Sequence, residues 1–112
     1  MSLNRNTPIA DKTVLIVGLG LIGGSVAKGL RKFNPSQTLL ATDSNADSLA
    51  LAKDTKIISG SGTLEEMAKL ADIIVLAVPP LMLPFTINRL ETHVRAGTVV
   101  TDVASVKSHI SE

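Results

Sequence analysis

Residues 13–24 read TVLIVGLGLIGG, a continuous apolar run that leads into three glycines spaced G-x-G-x-x-G. The run Thr13–Val17 predicts a strand that is buried on both faces, as strands in parallel sheets are. Gly18 ends this strand, and from Leu21 onward the pattern is helical, with one apolar stripe formed by Ile22, Val26, Leu30 and Phe33. The stretch therefore predicts a buried strand, a tight glycine turn and an amphipathic helix in direct succession.

Each glycine of the turn has its own physical reason. Gly18 permits the tight turn off the strand, Gly20 lets the backbone approach a diphosphate, and Gly23 lets the helix pack against the sheet. The backbone N–H groups around Leu21 and Ile22 lie at the positive end of the helix dipole, so they attract an anion. We therefore predict that these five residues hold the diphosphate of a dinucleotide. The alternative is a glycine-rich turn without a ligand.

Strands and helices alternate along the rest of the chain. Further strands are predicted at 39–42, 57–58, 73–78 and 98–101, with a loop at 59–62. Helices are predicted at 21–33, 46–53, 63–70 and 83–97, and a last one starts at Val106. Ser44 or Asn45 caps the second helix, and Thr63–Glu66 has the form of a capping box. This alternation predicts an α/β fold of the Rossmann type, doubly wound, with a mostly parallel sheet in the order 3-2-1-4-5.

Asp43 lies where the second predicted strand ends, about 20 residues after the last glycine of the motif. A carboxylate at this place accepts hydrogen bonds from the adenosine ribose hydroxyls and repels the 2′-phosphate of NADP. No arginine or lysine follows Asp43 closely in sequence to hold such a phosphate. We therefore predict NAD as the cofactor. The alternative is that Asp43 only caps the helix that follows it.

Val78, Pro79 and Pro80 end the fourth predicted strand, beside the point where the strand order reverses. Ligands of open α/β sheets lie in the crevice at that point. The two prolines are predicted to form an apolar wall against the dinucleotide. A simple strand stop is the other reading, and the two are compatible.

The amino-acid composition argues against several other classes of protein. The chain has 112 residues, 45% hydrophobic and 19% charged, which suits a single domain over residues 1–112 with a loose leader at 1–12. The net charge of +1 without a basic run argues against nucleic acid and membrane surfaces as partners. Cysteine is absent, and no metal is predicted. No uncharged stretch reaches the roughly 20 residues of a membrane span, so we expect a cytoplasmic protein.

Three segments together resemble the prephenate and arogenate dehydrogenases. They are residues 18–25, 71–80 and 101–107, and the last contains the most discriminating pattern, D-V-x-S-x-K. The resemblance covers residues 13–110, nearly the whole chain. It implies an oxidative decarboxylation in tyrosine biosynthesis, in which prephenate becomes 4-hydroxyphenylpyruvate. Hydride leaves the ring carbon that bears the 4-hydroxyl for NAD, carbon dioxide is lost, and the ring becomes aromatic.

The resemblance also implies a catalytic role for Ser105, close to the nicotinamide and the substrate hydroxyl. An N-cap of the helix starting at Val106 is the other reading of Ser105, and both roles can hold together. The family's general-base histidine belongs to a later segment, and neither His93 nor His109 matches it. The family's helical second domain, which supplies the dimer interface and much of the substrate pocket, also lies beyond these residues.

We therefore expect the NAD-binding domain of a prephenate or arogenate dehydrogenase, an enzyme that acts on a small molecule as a homodimer. By itself the chain is expected to bind NAD and to turn over prephenate negligibly. Two alternatives stay open. One is the cofactor domain of another small NAD(P) dehydrogenase or reductase of the β-hydroxyacid type, against which the D-V-x-S-x-K pattern argues. The other is a non-catalytic NAD-sensing module.

Overall fold

The computed structural model describes residues 11–103, in which strands and helices alternate. In chain order the elements are β1 (Thr13–Val17), α1 (Leu21–Phe33), β2 (Thr38–Thr42), α2 (Ala46–Asp54), β3 (Gly60–Ser61), α3 (Leu64–Ala68), β4 (Ile73–Leu76), α4 (Leu83–Leu90) and β5 (Val99–Asp102). A short 3₁₀ turn over Pro80–Met82 precedes α4. The sheet has the order β3-β2-β1-β4-β5 with parallel neighbours throughout. The predicted Rossmann-type α/β fold and its strand order are confirmed.

β1 lies at the centre of the sheet, between β2 and β4. Val14 and Ile16 belong to the core on the side of α1 and α2, whereas Leu15 and Val17 belong to the core on the side of α3 and α4. Val14, Leu15 and Ile16 are at most 1% exposed. Helices therefore cover both faces, which is why this strand has a continuous apolar sequence and not an alternating one.

Helix α1 follows the glycine turn and has the predicted bounds. Val26 and Leu30 of the predicted apolar stripe are buried, and Phe33 packs at the border of the core. Ile22, which the stripe also includes, is 55% exposed, so the stripe prediction is wrong there. The reason is that Ile22 lies in the first turn of α1, at the mouth of the crevice described below.

The third strand is Gly60–Ser61, so the prediction of a strand at 57–58 and a loop through 59–62 is wrong. The N–H groups of Ile57 and Ile58 both donate to the carbonyl of Ala52 and close the end of α2. Ile58 is nevertheless 4% exposed and belongs to the core. The apolar pair therefore reflects burial of a loop, not strand pairing.

Three other elements end earlier than predicted: β4 at Leu76, α3 at Ala68 and α4 at Leu90. After α4, the N–H groups of His93 and Val94 both donate to the carbonyl of Leu90, which marks a closing turn. Val94 lies within the predicted helix at 83–97 and still packs at the border of the core, although it follows the end of α4. The remaining boundaries agree within a residue or so.

Side-chain bonds close the amino end of the sheet. Asp72, just before β4, accepts from the N–H of Thr13 at 2.9 Å and from Arg95 at 2.7 Å. These hydrogen bonds, with that of Thr13 contributing most, hold the pKa of the Asp72 carboxyl below its ordinary value. Arg95 also donates to the carbonyl of Ala71 at 3.0 Å. Both the charge and the backbone groups at this end are therefore satisfied within the protein.

Candidate functional site

A crevice of about 970 Å³ opens at the carboxyl ends of β1, β2 and β4. It lies where the strand order reverses, with β2 on one side of β1 and β4 on the other. Such switch points hold the ligands of open α/β sheets. The residues predicted for the cofactor that line it are Gly18, Gly20, Leu21, Ile22, Asp43, Val78, Pro79 and Pro80.

The other predicted positions have different places. Gly23 is buried in α1 behind the crevice wall. Ser105, His109 and the helix starting at Val106 lie outside the described residues, as do residues 1–10 of the predicted leader. His93 lies in the turn after α4 and does not line the crevice.

The three motif glycines differ in what the fold demands of them. Gly18 has a φ of +101°, and a Cβ there would lie 2.7 Å from the carbonyl oxygen of Ala77. A Cβ on Gly23 would lie only 1.8 Å from the carbonyl oxygen of Gly18. Gly20 has an ordinary φ of −67°, and a Cβ there would meet no atom within 4 Å. The fold thus requires glycine at positions 18 and 23 but not at 20, which faces the crevice.

The start of α1 contrasts with the starts of α2 and α3. Asn45 caps α2 with its side chain, as one of the two predicted caps. Thr63 and Glu66 form the predicted capping box on α3. In the described part of the chain, α1 has neither a side-chain cap nor an acidic residue in its first turn.

The N-terminal amides of α1 are therefore available to a ligand. Its first helical bond runs from the N–H of Gly24 to the carbonyl of Gly20, at 2.8 Å. The N–H groups of Leu21 and Ile22 precede this bond and have no partner within the helix. They lie with the positive end of the helix dipole at a crevice that both residues line.

Asp43 lies at the end of β2, beside the glycine turn. One oxygen of its carboxylate accepts from the N–H of Leu19, and the other accepts from the N–H of Asn45 at 2.8 Å. Because Asn45 caps α2, the alternative in which Asp43 is the cap is wrong. A carboxylate offers about four acceptor positions, so Asp43 keeps acceptor capacity toward the crevice that it lines.

The structure adds a charged pair that the sequence reasoning missed. Glu65 of α3 and Arg89 of α4 line the crevice and are joined by two hydrogen bonds of 2.9 Å. Hydrogen bonds from the backbone N–H of Glu65 and then from Arg89 hold the pKa of the Glu65 carboxyl below its ordinary value. The capping box marks the start of α3, but nothing in the sequence marks Arg89, because only packing brings α4 beside α3.

Other kinds of site find no support in the part of the chain that the structure describes. Residues 11–103 contain no group of three His, Cys, Asp or Glu side chains arranged to bind a metal ion. None of the helices in this range has both the length and the apolar character needed to cross a membrane. The crevice at the carboxyl ends of the strands is therefore the candidate ligand site.

The fold and this crevice define a Rossmann-type α/β domain with a candidate ligand site at the switch point of its sheet. Residues 13–106 match the family described as "NADP oxidoreductase coenzyme F420-dependent". The match covers most of the chain, and the chain belongs to this family.

Named relatives give a more specific comparison than the family description does. The chain is 37% identical over 102 residues to a prephenate dehydrogenase of Lactococcus lactis subsp. cremoris, covering 90% of this chain and 28% of the relative. An arogenate dehydrogenase structure from Synechocystis superposes with a TM-score of 0.73 at 28% identity, over 80% of this chain and 32% of that one.

A prephenate dehydrogenase from A. aeolicus, solved with hydroxyphenyl propionate and NAD+, superposes with a TM-score of 0.77 at 24% identity. The match covers 93% of this chain and 40% of that one. At 24% identity it supports the fold alone. Against the curated relatives that it matches, the chain spans only 25% to 28% of their length.

Proposed function

We propose that this chain is the NAD-binding domain of a prephenate or arogenate dehydrogenase, a homodimeric cytoplasmic enzyme of tyrosine biosynthesis. The names of the relatives support the enzyme class. The observation that supports the proposal most is the lining of the crevice. It combines an uncapped helix start, a glycine that the fold does not require and a strand-end carboxylate.

Each of these groups has a part in holding NAD. The N–H groups of Leu21 and Ile22, at the start of α1, would hold the diphosphate by donating to its oxygens. The absence of a side chain at Gly20 leaves room for that approach, and no contact within the protein explains this glycine otherwise. Asp43 accepts from the adenosine ribose hydroxyls. Val78, Pro79 and Pro80 form the wall at the end of β4.

The charge of the crevice favours NAD over NADP, although the family description names NADP. Asp43 and Glu65 are acidic, and Arg89 is the one basic residue among the described residues that line the crevice. Because Glu65 already binds Arg89 in two hydrogen bonds, that guanidinium is neutralised locally. A 2′-phosphate near Asp43 would meet uncompensated repulsion.

In the proposed intact enzyme, NAD supplies the hydride acceptor for an oxidation that also releases carbon dioxide. Ser105 follows β5 and is proposed to orient the substrate hydroxyl or its proton acceptor. The resemblance assigns the proton acceptor and much of the substrate pocket to a later segment, and a general base contributes about 10²–10⁴-fold in rate. The chain by itself is therefore proposed to bind NAD without measurable turnover of prephenate.

Calorimetric titration of the chain with NAD and NADP tests the proposal. We expect NAD to bind with a Kd below about 1 mM and NADP to bind at least about tenfold more weakly, a difference of about 1.4 kcal/mol. D43N should weaken NAD more than NADP, because the variant loses the charge that repels the 2′-phosphate. D54N, which removes an exposed carboxylate at the far end of α2, is the matched control.

Two results would count against the proposal. If the folded chain bound neither cofactor at millimolar concentration, the dinucleotide assignment would be wrong. If NADP bound as tightly as NAD, only the choice of cofactor would change, and the role given to Asp43 would have to be dropped.

A further inference from the structure

The crevice contains no aromatic ring among the described residues that line it. Phe33 and Phe85 are the chain's two phenylalanines, tryptophan and tyrosine are absent, and neither phenylalanine lines the crevice. A bound adenine gains affinity from a flat partner on which it stacks. Arginine is the non-aromatic side chain best suited to this, because its guanidinium is planar and weakly hydrated.

The plane of the Arg89 guanidinium has a fixed orientation in this structure. Its Nε donates to one oxygen of Glu65 and its Nη2 donates to the other, both at 2.9 Å. A two-bond pair of this kind fixes the plane of the guanidinium and uses only its edge, so its faces are not consumed. The Arg89 side chain is 56% exposed, which leaves it accessible from the crevice that it lines.

The pair also lies on the adenosine side of the crevice. Glu65 is in the first turn of α3, and α3 packs against β2, the strand that leads to Asp43. Asp43 is the group proposed to bind the adenosine ribose, so a base joined to that ribose would lie beside α3 and α4. The nicotinamide half would lie instead toward β4 and β5.

We propose that Arg89 is the stacking partner of the adenine base, with Glu65 holding the guanidinium in its plane. This assignment rests on the proposed binding of NAD. Arg89 is thus a cofactor-binding residue, and Glu65 is the positioning residue that acts through it.

The contribution of the flat face can be separated from that of the charge. R89K keeps the positive charge opposite Glu65 but loses the planar surface. Stacking predicts that R89K weakens NAD by about tenfold, which is within the range for base–aromatic stacking. ADP-ribose should lose the same factor as NAD, because it shares the adenosine half.

R95K is the matched control, since Arg95 also pairs with a carboxylate but at the opposite end of the sheet. It should leave the Kd for both ligands unchanged. Thermal unfolding of each variant checks that the fold is intact. Should R89K fail to fold, NMR of the unmodified chain replaces it: ADP-ribose should shift the Nε–H signal of Arg89 upfield through the adenine ring current and leave that of Arg95 in place.

The outcomes separate this inference from the proposed function. If the unmodified chain binds no NAD, the proposed function itself fails. If the chain binds NAD and R89K binds it equally well, only the stacking role is overturned. The role is also overturned if R89K weakens NAD but not ADP-ribose, or if the Nε–H signal of Arg89 does not move.

Discussion

Two aspartates at opposite ends of β1 show how differently the two ends of the sheet are built. Asp72 at the amino end accepts from the N–H of Thr13 and binds Arg95, so its charge is compensated within the protein. Asp43 at the carboxyl end accepts from the N–H groups of Leu19 and Asn45, which are neutral donors. The amino end is thus closed by its own side chains, whereas the carboxyl end is open and lined with groups suited to a ligand.

The glycines of the motif repeat the same contrast within a few residues. Gly23 faces the sheet, and the fold leaves no room for a side chain there. Gly20 faces the crevice, where a side chain would meet no protein atom. Packing therefore explains the glycine at position 23, whereas a ligand best explains the glycine at position 20. Mutation of the first should lower stability, and mutation of the second should weaken binding.

The largest expected effect is that of G23A on stability. The new Cβ would lie 1.8 Å from the carbonyl oxygen of Gly18, and a backbone atom cannot rotate away as a side chain can. We expect a loss of about 3 kcal/mol or more in the free energy of unfolding, measured in urea. G24A is the control, because its Cβ would meet only ordinary contacts at 3.6 Å. A G23A variant as stable as G24A would show that the turn can rearrange.

The second effect is that of G20A on cofactor affinity. Alanine fits the φ of −67° at this position and meets no neighbour, so the free energy of unfolding should change by less than about 0.5 kcal/mol. The added methyl group should keep the diphosphate away from the start of α1 and weaken NAD by at least about tenfold, or about 1.4 kcal/mol. Titration calorimetry with NAD measures this. Unchanged affinity would place the diphosphate elsewhere.

The smallest effect is that of D72N, at the closed end. The asparagine oxygen can still accept from Thr13, so mainly the pair with the exposed Arg95 is lost, at a cost below about 1 kcal/mol at pH 7. The folded pKa of Asp72 is lowered, so its contribution to stability is present above the unfolded value of about 4 and is lost as the pH falls through the folded value. D72N should therefore show a flatter loss of stability in acid, measured by urea unfolding at several pH values.

The affinity of D72N for NAD tests whether the two ends of the sheet are independent. D72N should leave the Kd for NAD unchanged, because Asp72 lies at the end of the sheet away from the crevice. An altered Kd would mean that the two ends are coupled through β1, and the contrast between them would fail.

Much of the fold could be predicted because its signals are local. The run Thr13–Val17 indicates a strand covered on both faces, and the glycine spacing indicates the turn and the helix after it. Predictions were wrong where an apolar residue is buried for another reason. Ile58 fills the core from a loop, and Val94 packs from a turn, so neither extends the regular element that its pattern suggested.

The sequence by itself determined the order of strands and helices, the G-x-G-x-x-G turn and the strand-end carboxylate, since each depends on residues close together in the chain. Only the tertiary structure showed that Gly20 has no packing role, that Asn45 and not Asp43 caps α2, and that Glu65 and Arg89 meet at the crevice. The reason is that these facts depend on distances between separate elements, and such distances follow from how the helices pack on the sheet.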